Sequence, residues 1–182
     1  MSNLTKDDLI REVRDKVTTQ DYTKKEFIDG VRLIELKTIV GEQGDFGEVA
    51  RFDNGELEGI PGFEIAQINR TTLNPDAIKA FHLHFKQDEI WYLIPSDHLL
   101  VGLWDVRENS KTSNKNMKVV LGGGKSCLLF IPRGVAHGCM STINKPVELF
   151  YLVSEKFDMK DPDEKRLPWD SLGSDFWQLE KE

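Results

Sequence analysis

The sequence predicts an all-β fold, an antiparallel sandwich or barrel, for most of the 182 residues. From residue 30 onward, short runs rich in Val, Ile, Leu, Phe and Tyr alternate with turn segments such as NPD, PSD and GGG. No stretch with helical periodicity separates these runs, which argues against parallel β-α-β units. A chain of this length can bury a core without disulfides, so one domain over residues 1–182 is predicted.

The first part of the chain, residues 1–28, is predicted to be a helical arm. Thr5 and Asp8 have the spacing of a capping box, and apolar residues follow at helical spacing, so an amphipathic helix is predicted over about residues 6–17. This helix is expected to pack on the barrel or on a partner. Charges run through the segment and it has no apolar centre, so it does not have the pattern of a signal peptide.

Residues 29–155 are predicted to form the β-barrel. Some of its strands, such as residues 99–106, are apolar at successive positions, so both faces need apolar surroundings and a dimer interface is predicted on the second face. The predicted strands are residues 31–40, 48–52, 63–70, 77–85, 89–95, 99–106, 116–121, 125–132, 135–140 and 147–154.

The last part, residues 156–182, is a mostly polar C-terminal segment that carries Trp169 and Trp177. Because tryptophan is usually buried in large part, the segment is predicted to pack back onto the barrel.

Composition and charge restrict the functional classes. The 24 Lys and Arg residues against 31 Asp and Glu give a net charge of -7, which argues against a nucleic-acid-binding surface. No apolar run approaches the roughly 20 residues of a membrane span. Cys127 and Cys139 have no CxxC spacing and predict reduced, buried thiols, with a disulfide or a catalytic thiol as alternatives. The protein is therefore expected to be soluble and cytoplasmic.

Three histidines and one carboxylate form the candidate site. Strand alternation over residues 77–85 puts His82 and His84 on one face and leaves the other face for packing. Glu89 opens the next predicted strand, and His137 follows a Pro-x-Gly turn. The predicted packing face carries Phe81, Leu83 and Phe85.

Such a set is a reasonable first shell for Zn, Fe, Mn, Ni or Co. The alternative for each histidine is a hydrogen-bonded core or surface residue, and His98, at a turn, is expected to be a surface residue. The spacing HxH, then E, then PxGxxH resembles the two-part motif of the cupin superfamily. That resemblance implies a cupin double-stranded β-helix, or jelly-roll barrel, with a short N-terminal helix and a C-terminal extension.

A closer resemblance spans about residues 31–178. The segments QINRTTLNPDAIKAFHLH, LWDVRENSKT, IPRGVAHG and PDEKRLPWDSLGSDFW resemble the dTDP-4-dehydrorhamnose 3,5-epimerase family, a branch of the cupins. The resemblance implies a homodimeric enzyme of rhamnose and polysaccharide biosynthesis. It would bind a dTDP-4-keto-6-deoxy sugar and remove a proton beside the ketone, without a cofactor.

The same resemblance implies roles for individual residues. His82 matches the base, Asp170 the carboxylate that orients it, and Tyr151 is the candidate acid. Phe46 and Glu48 match residues that meet the nucleotide, from the partner subunit. The other implied substrate-binding positions are Gln67, Asn69, Lys79 and His137, and Lys86 is a further candidate that could replace the positive charge of a lysine missing from the family pattern.

Two departures from the family pattern keep other readings open. Glu89 stands where a lysine that stabilises the enolate is expected, and Phe157 where a catalytic tyrosine is expected. One alternative is a metal-dependent cupin, such as a dioxygenase or sugar isomerase, whose ligands would be His82, His84, Glu89 and His137. Another is a non-catalytic cupin that binds a sugar nucleotide. An imidazole that binds a metal has committed its lone pair, so His82 cannot also serve as the base.

Overall fold

The protein, seen in a computed structural model, is described over residues 3–23 and 26–181. Positions 1, 2, 24, 25 and 182, which belong to the predicted arm and tail, lie outside the described residues. The elements before the strands are a 3-10 turn (Lys6–Asp8) and a four-residue helix α1 (Arg11–Arg14). The strands are β1 (Arg32–Glu35), β2 (Thr38–Gly41), β3 (Gly44–Gly47), β4 (Phe52–Asp53), β5 (Glu56–Leu57), β6 (Gln67–Leu73), β7 (Ile78–Leu83), β8 (Glu89–Leu93), β9 (His98–Asp105), β10 (Asn116–Gly122), β11 (Cys127–Ile131), β12 (Val135–Ser141), β13 (Val147–Val153) and β14 (Lys165–Arg166). A second 3-10 turn covers Ser174–Trp177.

Ten of the described strands form two antiparallel sheets that pack face to face. The first sheet has the order β1-β11-β8-β13-β6, and the second has the order β10-β9-β12-β7-β14. Buried aliphatic side chains from both sheets, including Leu73, Leu103 and Leu129, form one core between them. Two further hairpins, β2-β3 and β4-β5, pair only within themselves. The predicted all-β fold is confirmed.

The pairing of β7 with β12 brings two of the candidate histidines opposite each other. His82 lies across from His137, and the register then shifts so that Cys139 lies across from Lys79. Gly138 sits at this shift, where an added Cβ would lie 2.4 Å from the Cβ of Ala80. The close approach of the two strands therefore requires glycine at this position.

The outer face of β9 is covered by the chain's own C-terminal segment. A Cβ added to Gly102 would lie 2.6 Å from the rings of both Phe176 and Trp177. Trp177 is buried against Phe81, with ring centroids 5.4 Å apart. The prediction that this face of residues 99–106 is a dimer interface is therefore wrong around Gly102, because the tail already occupies it. Trp169, by contrast, is 45% exposed.

The N-terminal arm differs from the predicted helix over residues 6–17. The capping box is present, because Asp8 accepts hydrogen bonds from the backbone N–H and the hydroxyl of Thr5 at 2.7 and 2.8 Å. However, the chain forms only a 3-10 turn and the short α1. Ile10 remains 68% exposed, so no packed apolar face supports a longer helix.

Several strand boundaries also differ from the prediction. Residues 31–40 divide into β1 and β2, residues 48–51 are irregular, and the strand predicted to start at residue 63 starts at Gln67 and runs to Leu73. The hairpin β2-β3 turns through Glu42 and Gln43, which lack the Asn-Gly or Asp-Gly signature of a two-residue turn.

The packing of β7 is predicted correctly except at its end. Phe81 and Leu83 are buried, but Phe85 is 62% exposed because β7 ends at Leu83 and Phe85 lies in the following turn. Cys127 and Cys139 are buried free thiols, as predicted. None of the described helices is both long enough and apolar enough to span a membrane.

Candidate active site

A cavity of about 820 Å³ lies between the two sheets, within the size range of small-ligand sites. Its walls come from β6, β7, β8 and β13 and from residues 155–167, which we call the strap. The strap crosses the cavity and ends in β14, which pairs with β7. The side chain of Asp163 holds the strap in place by accepting hydrogen bonds from the backbone N–H groups of Phe85, Lys86 and Gln87.

His82 lies on the wall of this cavity, with 25% of its side chain exposed. Its Nε2 is 2.8 Å from Nη1 of Arg166, and its Nδ1 is 3.7 Å from Oε1 of Glu164. Arginine can only donate, so Nε2 accepts and the proton of the neutral ring is on Nδ1, facing the carboxylate. Burial, followed by the charges of His137 and Arg166, lowers the pKa of His82 to about 3. The imidazole is therefore neutral at physiological pH.

Glu89 is a buried carboxylate, 4% exposed, at the start of β8. Gln87 Nε2 donates to its Oε1 at 2.7 Å, and Trp91 Nε1 donates to its Oε2 at 2.6 Å. Nε2 of His84 lies 3.1 Å from Oε1, and Nε2 of His137 lies 3.3 Å from Oε2. Two aligned donors and two imidazole nitrogens thus surround a charge that would otherwise be costly to bury.

Electrostatics couple this cluster. Burial alone would raise the pKa of Glu89, but His137 and His84 outweigh it and hold the pKa of the carboxyl well below its ordinary value. Burial would likewise lower the pKa of His84, but the contacts with Glu89 and with the carbonyl of Asp163 outweigh it and raise that pKa. The cluster therefore favours a carboxylate beside a protonated His84.

The orientation of the two imidazoles limits what can lie between them and Glu89. Nδ1 of His84 faces the carbonyl oxygen of Asp163, and Nδ1 of His137 lies 2.9 Å from the carbonyl oxygen of Val135. Each Nδ1 thus carries a proton, and a neutral ring would turn the Nε2 lone pair towards Glu89. Both Nε2 atoms are at ion-pair distance from the carboxylate, but neither meets the geometry of an aligned hydrogen bond. A proton on each ring or a metal ion is needed to offset this repulsion.

The four-residue metal set predicted from the sequence is assembled only in part. The donor atoms of His84, Glu89 and His137 lie within 4.8 Å of one another and could hold a metal ion. His82 is outside that group, because its Nε2 faces Arg166. His98 lies away from the cavity, with its ring beside the hydroxyl of Thr142.

The sequence as a whole matches a known family model. Residues 25–177 match the model of dTDP-4-dehydrorhamnose 3,5-epimerase. The chain is also 37% identical to the spore coat polysaccharide biosynthesis protein SpsL of Bacillus subtilis (strain 168), over 84% of this chain and 98% of that protein.

The chain belongs to the dTDP-4-dehydrorhamnose 3,5-epimerase family.

More distant relatives agree with this assignment. The probable low-salt glycan biosynthesis epimerase Agl13 of Haloferax volcanii is 29% identical over 79% of this chain and 89% of that protein. The crystal structure of a dTDP sugar isomerase from Desulfovibrio desulfuricans G20 superposes with a TM-score of 0.68 at 26% identity, covering 80% of this chain and 88% of that one. The cupin jelly-roll predicted for the barrel is therefore confirmed.

The structure changes which carboxylate accompanies the base that the family resemblance implies. Asp170 is exposed and does not line the cavity, so it is not brought to His82. The carboxylate near His82 Nδ1 is that of Glu164, which lies within the strap. The prediction of Asp170 followed its place in the segment LPWDS, but β14 ends at Arg166 and the chain turns away before Asp170.

Most of the implied substrate-binding residues do line the cavity. Gln67 and Asn69 project from β6 and share a hydrogen bond of 2.6 Å. Lys79 lines the cavity and donates to the hydroxyl of Thr71 at 2.6 Å. The remaining cavity residues from the prediction are Lys86 and Tyr151, whereas His137 lies behind the wall, against Glu89.

Phe46 and Glu48 are not brought to the cavity of their own chain. Phe46 is 67% exposed on β3, and Glu48 pairs with Arg51 at 2.6 Å. Their implied role, contact with a nucleotide held by the partner subunit, stays a prediction.

The strap supplies cavity residues that the sequence did not reveal. Arg166 and Glu164 flank His82, and Phe157, where the family pattern expects a tyrosine, also lines the cavity. A two-residue strand such as β14 has no detectable period, so nothing in the sequence places Arg166 beside His82. The run of charges in PDEKR predicts a polar segment but not its contact with His82.

Proposed function

We propose that the protein is a nucleotide-sugar epimerase that abstracts a proton beside the ketone of a dTDP-4-keto-6-deoxy sugar. The observation that carries the proposal is His82, a neutral imidazole on the wall of a ligand-sized cavity in a chain of this family. The neutral ring can act as a general base once Arg166 has left its lone pair, because the charge of Arg166 is one of the causes that lower the pKa of His82. Proton abstraction beside a ketone needs no cofactor, because the ketone itself accepts the electron pair.

The described residues suggest how the proton transfers are divided. His82 Nε2 takes the proton from the carbon next to the ketone, and Glu164 stabilises the imidazolium through Nδ1. Tyr151 projects from β13 into the same cavity. Burial, together with the charges of Glu89 and Glu164, raises the pKa of Tyr151, so its hydroxyl stays protonated and can return a proton to the opposite face of the ring carbon.

The names of the relatives support a sugar-nucleotide substrate and a role in polysaccharide synthesis. The structure from Desulfovibrio is named a dTDP sugar isomerase, and two curated relatives are named for polysaccharide or glycan biosynthesis. Lys79 and Lys86 are cavity cations that could meet the diphosphate. A cytoplasmic homodimer remains part of the proposal.

The decisive experiment is incubation with a dTDP-4-keto-6-deoxy sugar in D2O, with the exchanged ring positions determined by NMR and mass spectrometry. We expect deuterium at one or both carbons beside the ketone. His82→Asn should reduce exchange by about 10²- to 10⁴-fold, because the base is lost. His98→Asn, the matched variant outside the cavity, should exchange like the wild type.

Two outcomes would overturn the proposal. One is exchange that persists undiminished in His82→Asn. The other is no exchange by the wild type, and thermal stabilisation by dTDP in that case would favour a non-catalytic cupin that binds a sugar nucleotide.

A second candidate function is a metal-dependent activity, and the observation that favours it is the pair of buried Nε2 atoms facing Glu89. His84, Glu89 and His137 would hold the ion, and their Nδ1 contacts with backbone carbonyls fix the tautomer that a metal ligand needs. Zn, Fe, Mn, Ni or Co would suit this donor set and would act as a Lewis acid when bound. Because His82 lies outside the set, it stays free to act as a base.

Metal content tests this candidate without any assay of activity. Protein purified without added metal should contain close to one equivalent by elemental analysis, and His84→Ala should lose it while His98→Ala keeps it. Metal-free wild-type protein that also fails to take up Zn²⁺ in a calorimetric titration would eliminate the candidate.

A further inference from the structure

Arg166 is held directly in front of His82 by the pairing of β14 with β7. Arg166 lies opposite His82 in the register, and Lys165 lies opposite Leu83. The next residue, Leu167, exchanges two backbone hydrogen bonds with Phe81, at 3.0 and 3.1 Å. The backbone position of Arg166 is therefore fixed, and its guanidinium reaches His82 Nε2 at 2.8 Å.

The other cations of the cavity are engaged elsewhere or lack this contact. Lys79 donates to the hydroxyl of Thr71 and to the carbonyl of Thr72, and Lys86 pairs with Asp161 at 2.8 Å. Among the described residues, Arg166 is the cation whose charged group contacts the proposed base. The charged residue that β8 brings to the cavity is Glu89, whose carboxylate would repel a developing oxyanion.

Proton abstraction beside a ketone fixes where the positive charge must be. The ketone oxygen lies about 2.4 Å from the carbon that loses the proton, given standard bond lengths. A base nitrogen in contact with that carbon is therefore within a few ångströms of the oxygen on which the negative charge develops. Nη1 of Arg166 is already within hydrogen-bond distance of that nitrogen.

We propose that Arg166 is the catalytic residue that stabilises the enolate, and that in the ligand-free protein its guanidinium occupies the lone pair of His82. This inference rests on the proposed epimerase function. When substrate binds, the ketone oxygen replaces His82 Nε2 as the acceptor of the Arg166 N–H. The base is then exposed by the same movement that places the cation on the oxygen.

The proton and electron balance closes with groups already present. The C–H bond breaks, its proton forms an N–H bond on His82 Nε2, and the electron pair moves through the carbon–carbon bond to the ketone oxygen, where Arg166 donates to it. The pair then returns to carbon, which takes a proton on the other face from the hydroxyl of Tyr151. The tyrosinate and the imidazolium exchange protons with solvent to complete the cycle.

The surroundings of Arg166 allow this movement. Its side chain is 59% exposed, and its Nη2 pairs with Glu164 in the same strap. An anionic oxygen adds a Coulomb attraction to the guanidinium that a neutral imidazole nitrogen cannot supply. Arg166 is therefore expected to leave the imidazole when the oxyanion forms.

The test compares Arg166→Met and Arg166→Lys with Lys165→Met, which removes a neighbouring cation from the same strand but outside the cavity. In the D2O exchange assay, Arg166→Met should lower kcat by about 10²- to 10³-fold, the usual effect of losing a donor to an oxyanion. Arg166→Lys should recover part of this loss. Lys165→Met should match the wild type, and dTDP affinity by calorimetry should change less than about threefold in every variant.

The outcomes separate this inference from the proposed function. Wild-type exchange with an undiminished kcat in Arg166→Met would overturn the role of Arg166 and leave the epimerase proposal standing. Loss of dTDP affinity in Arg166→Met with kcat retained would also overturn it, because Arg166 would then be a phosphate ligand. An equal loss of kcat in Lys165→Met would overturn it as a general effect of charge, and absence of exchange in the wild type would overturn both proposals.

Discussion

Glu89 is a buried carboxylate at a position where the family pattern expects a lysine, and its neighbours stabilise the negative charge. Gln87 and Trp91 each donate to one carboxylate oxygen, and His84 and His137 lie at ion-pair distance. Each carboxylate oxygen thus has partners of its own, although Glu89 lines the cavity. The substitution of a carboxylate for an expected lysine is compatible with enolate chemistry if the cation comes from elsewhere, and the strap supplies one.

We expect Glu89→Gln to lower the free energy of unfolding by about 3 kcal/mol, because removing one partner of a buried ionic cluster leaves the others uncompensated. The new amide N–H₂ would also face a donor, either Gln87 or Trp91. Urea denaturation at pH 7 measures the effect.

Glu148→Gln is the matched control for this change. Glu148 pairs with Arg70, and both side chains are at least half exposed, so its loss should cost less than about 1 kcal/mol. A Glu89→Gln protein as stable as this control would show that the buried carboxylate is not an anchor of the site.

At the scale of elements, the strap depends on one carboxylate. Asp163 accepts three backbone hydrogen bonds from the turn after β7, and its own carbonyl faces His84 Nδ1. Burial would raise the pKa of Asp163, but the backbone donors of Phe85, Lys86 and Gln87 outweigh it and lower that pKa below 3.8. The stabilisation is therefore fully present above the ordinary value and is lost as the pH falls through the lowered pKa.

We expect Asp163→Asn to loosen the strap without unfolding the barrel. Amide hydrogen exchange at residues 85–87 should become about tenfold faster, the equivalent of ~1.4 kcal/mol of lost hydrogen bonding. Asp161→Asn, which removes only an exposed pair with Lys86, should leave these amides unchanged. Equal exchange in the two variants would contradict the role of Asp163.

The same scale shows what sequence patterns can and cannot reveal about this chain. Alternation in β7 correctly predicts that His82 and Phe81 face opposite sides, because both faces of that strand have distinct surroundings. The sequence also predicts correctly that both faces of β9 are covered, but it assigns the cover of the second face to a dimer partner and not to the C-terminal segment. The partner of Gly102 is a tail some 75 residues later in the chain, and a contact at that separation leaves no local period.

The residues of the candidate site also fall into those that the sequence predicts and those that only the structure shows. The HxH pair and the Pro-x-Gly turn carry a recognisable spacing, so His82, His84, Glu89 and His137 are found from the sequence. Arg166 and Glu164 reach His82 only because β14 pairs with β7, and a pairing of two residues has no sequence signature. The sequence for that reason predicts Asp170 beside the base, where the structure has Glu164.

At the scale of the whole molecule, the hairpin β2-β3 carries several exposed apolar side chains close together. Val40 is 80% exposed, Phe46 67% and Ile39 57%, and this hairpin pairs with no other described strand. Ile39 and Phe46 lie opposite each other in the register and so share one face of the hairpin, and exposed apolar side chains clustered in this way usually mark an interface. The hairpin also carries Phe46 close to Glu48, the two residues implied to meet a nucleotide across the partner subunit.

We therefore expect the protein to sediment at twice the 20.9-kDa mass of the chain and Ile39→Asp to shift it towards the monomer. A charge buried in an apolar interface costs several kcal/mol, which is enough to dissociate a moderately stable dimer. Val120→Asp, at a valine on β10 that is 46% exposed, should remain dimeric. If Phe46 completes the partner's site, Ile39→Asp should also raise KM for the sugar nucleotide while Val120→Asp leaves it unchanged. A wild-type protein that sediments as a monomer at micromolar concentration would show that the hairpin is not a dimer interface, and Phe46 would then have no route to a nucleotide.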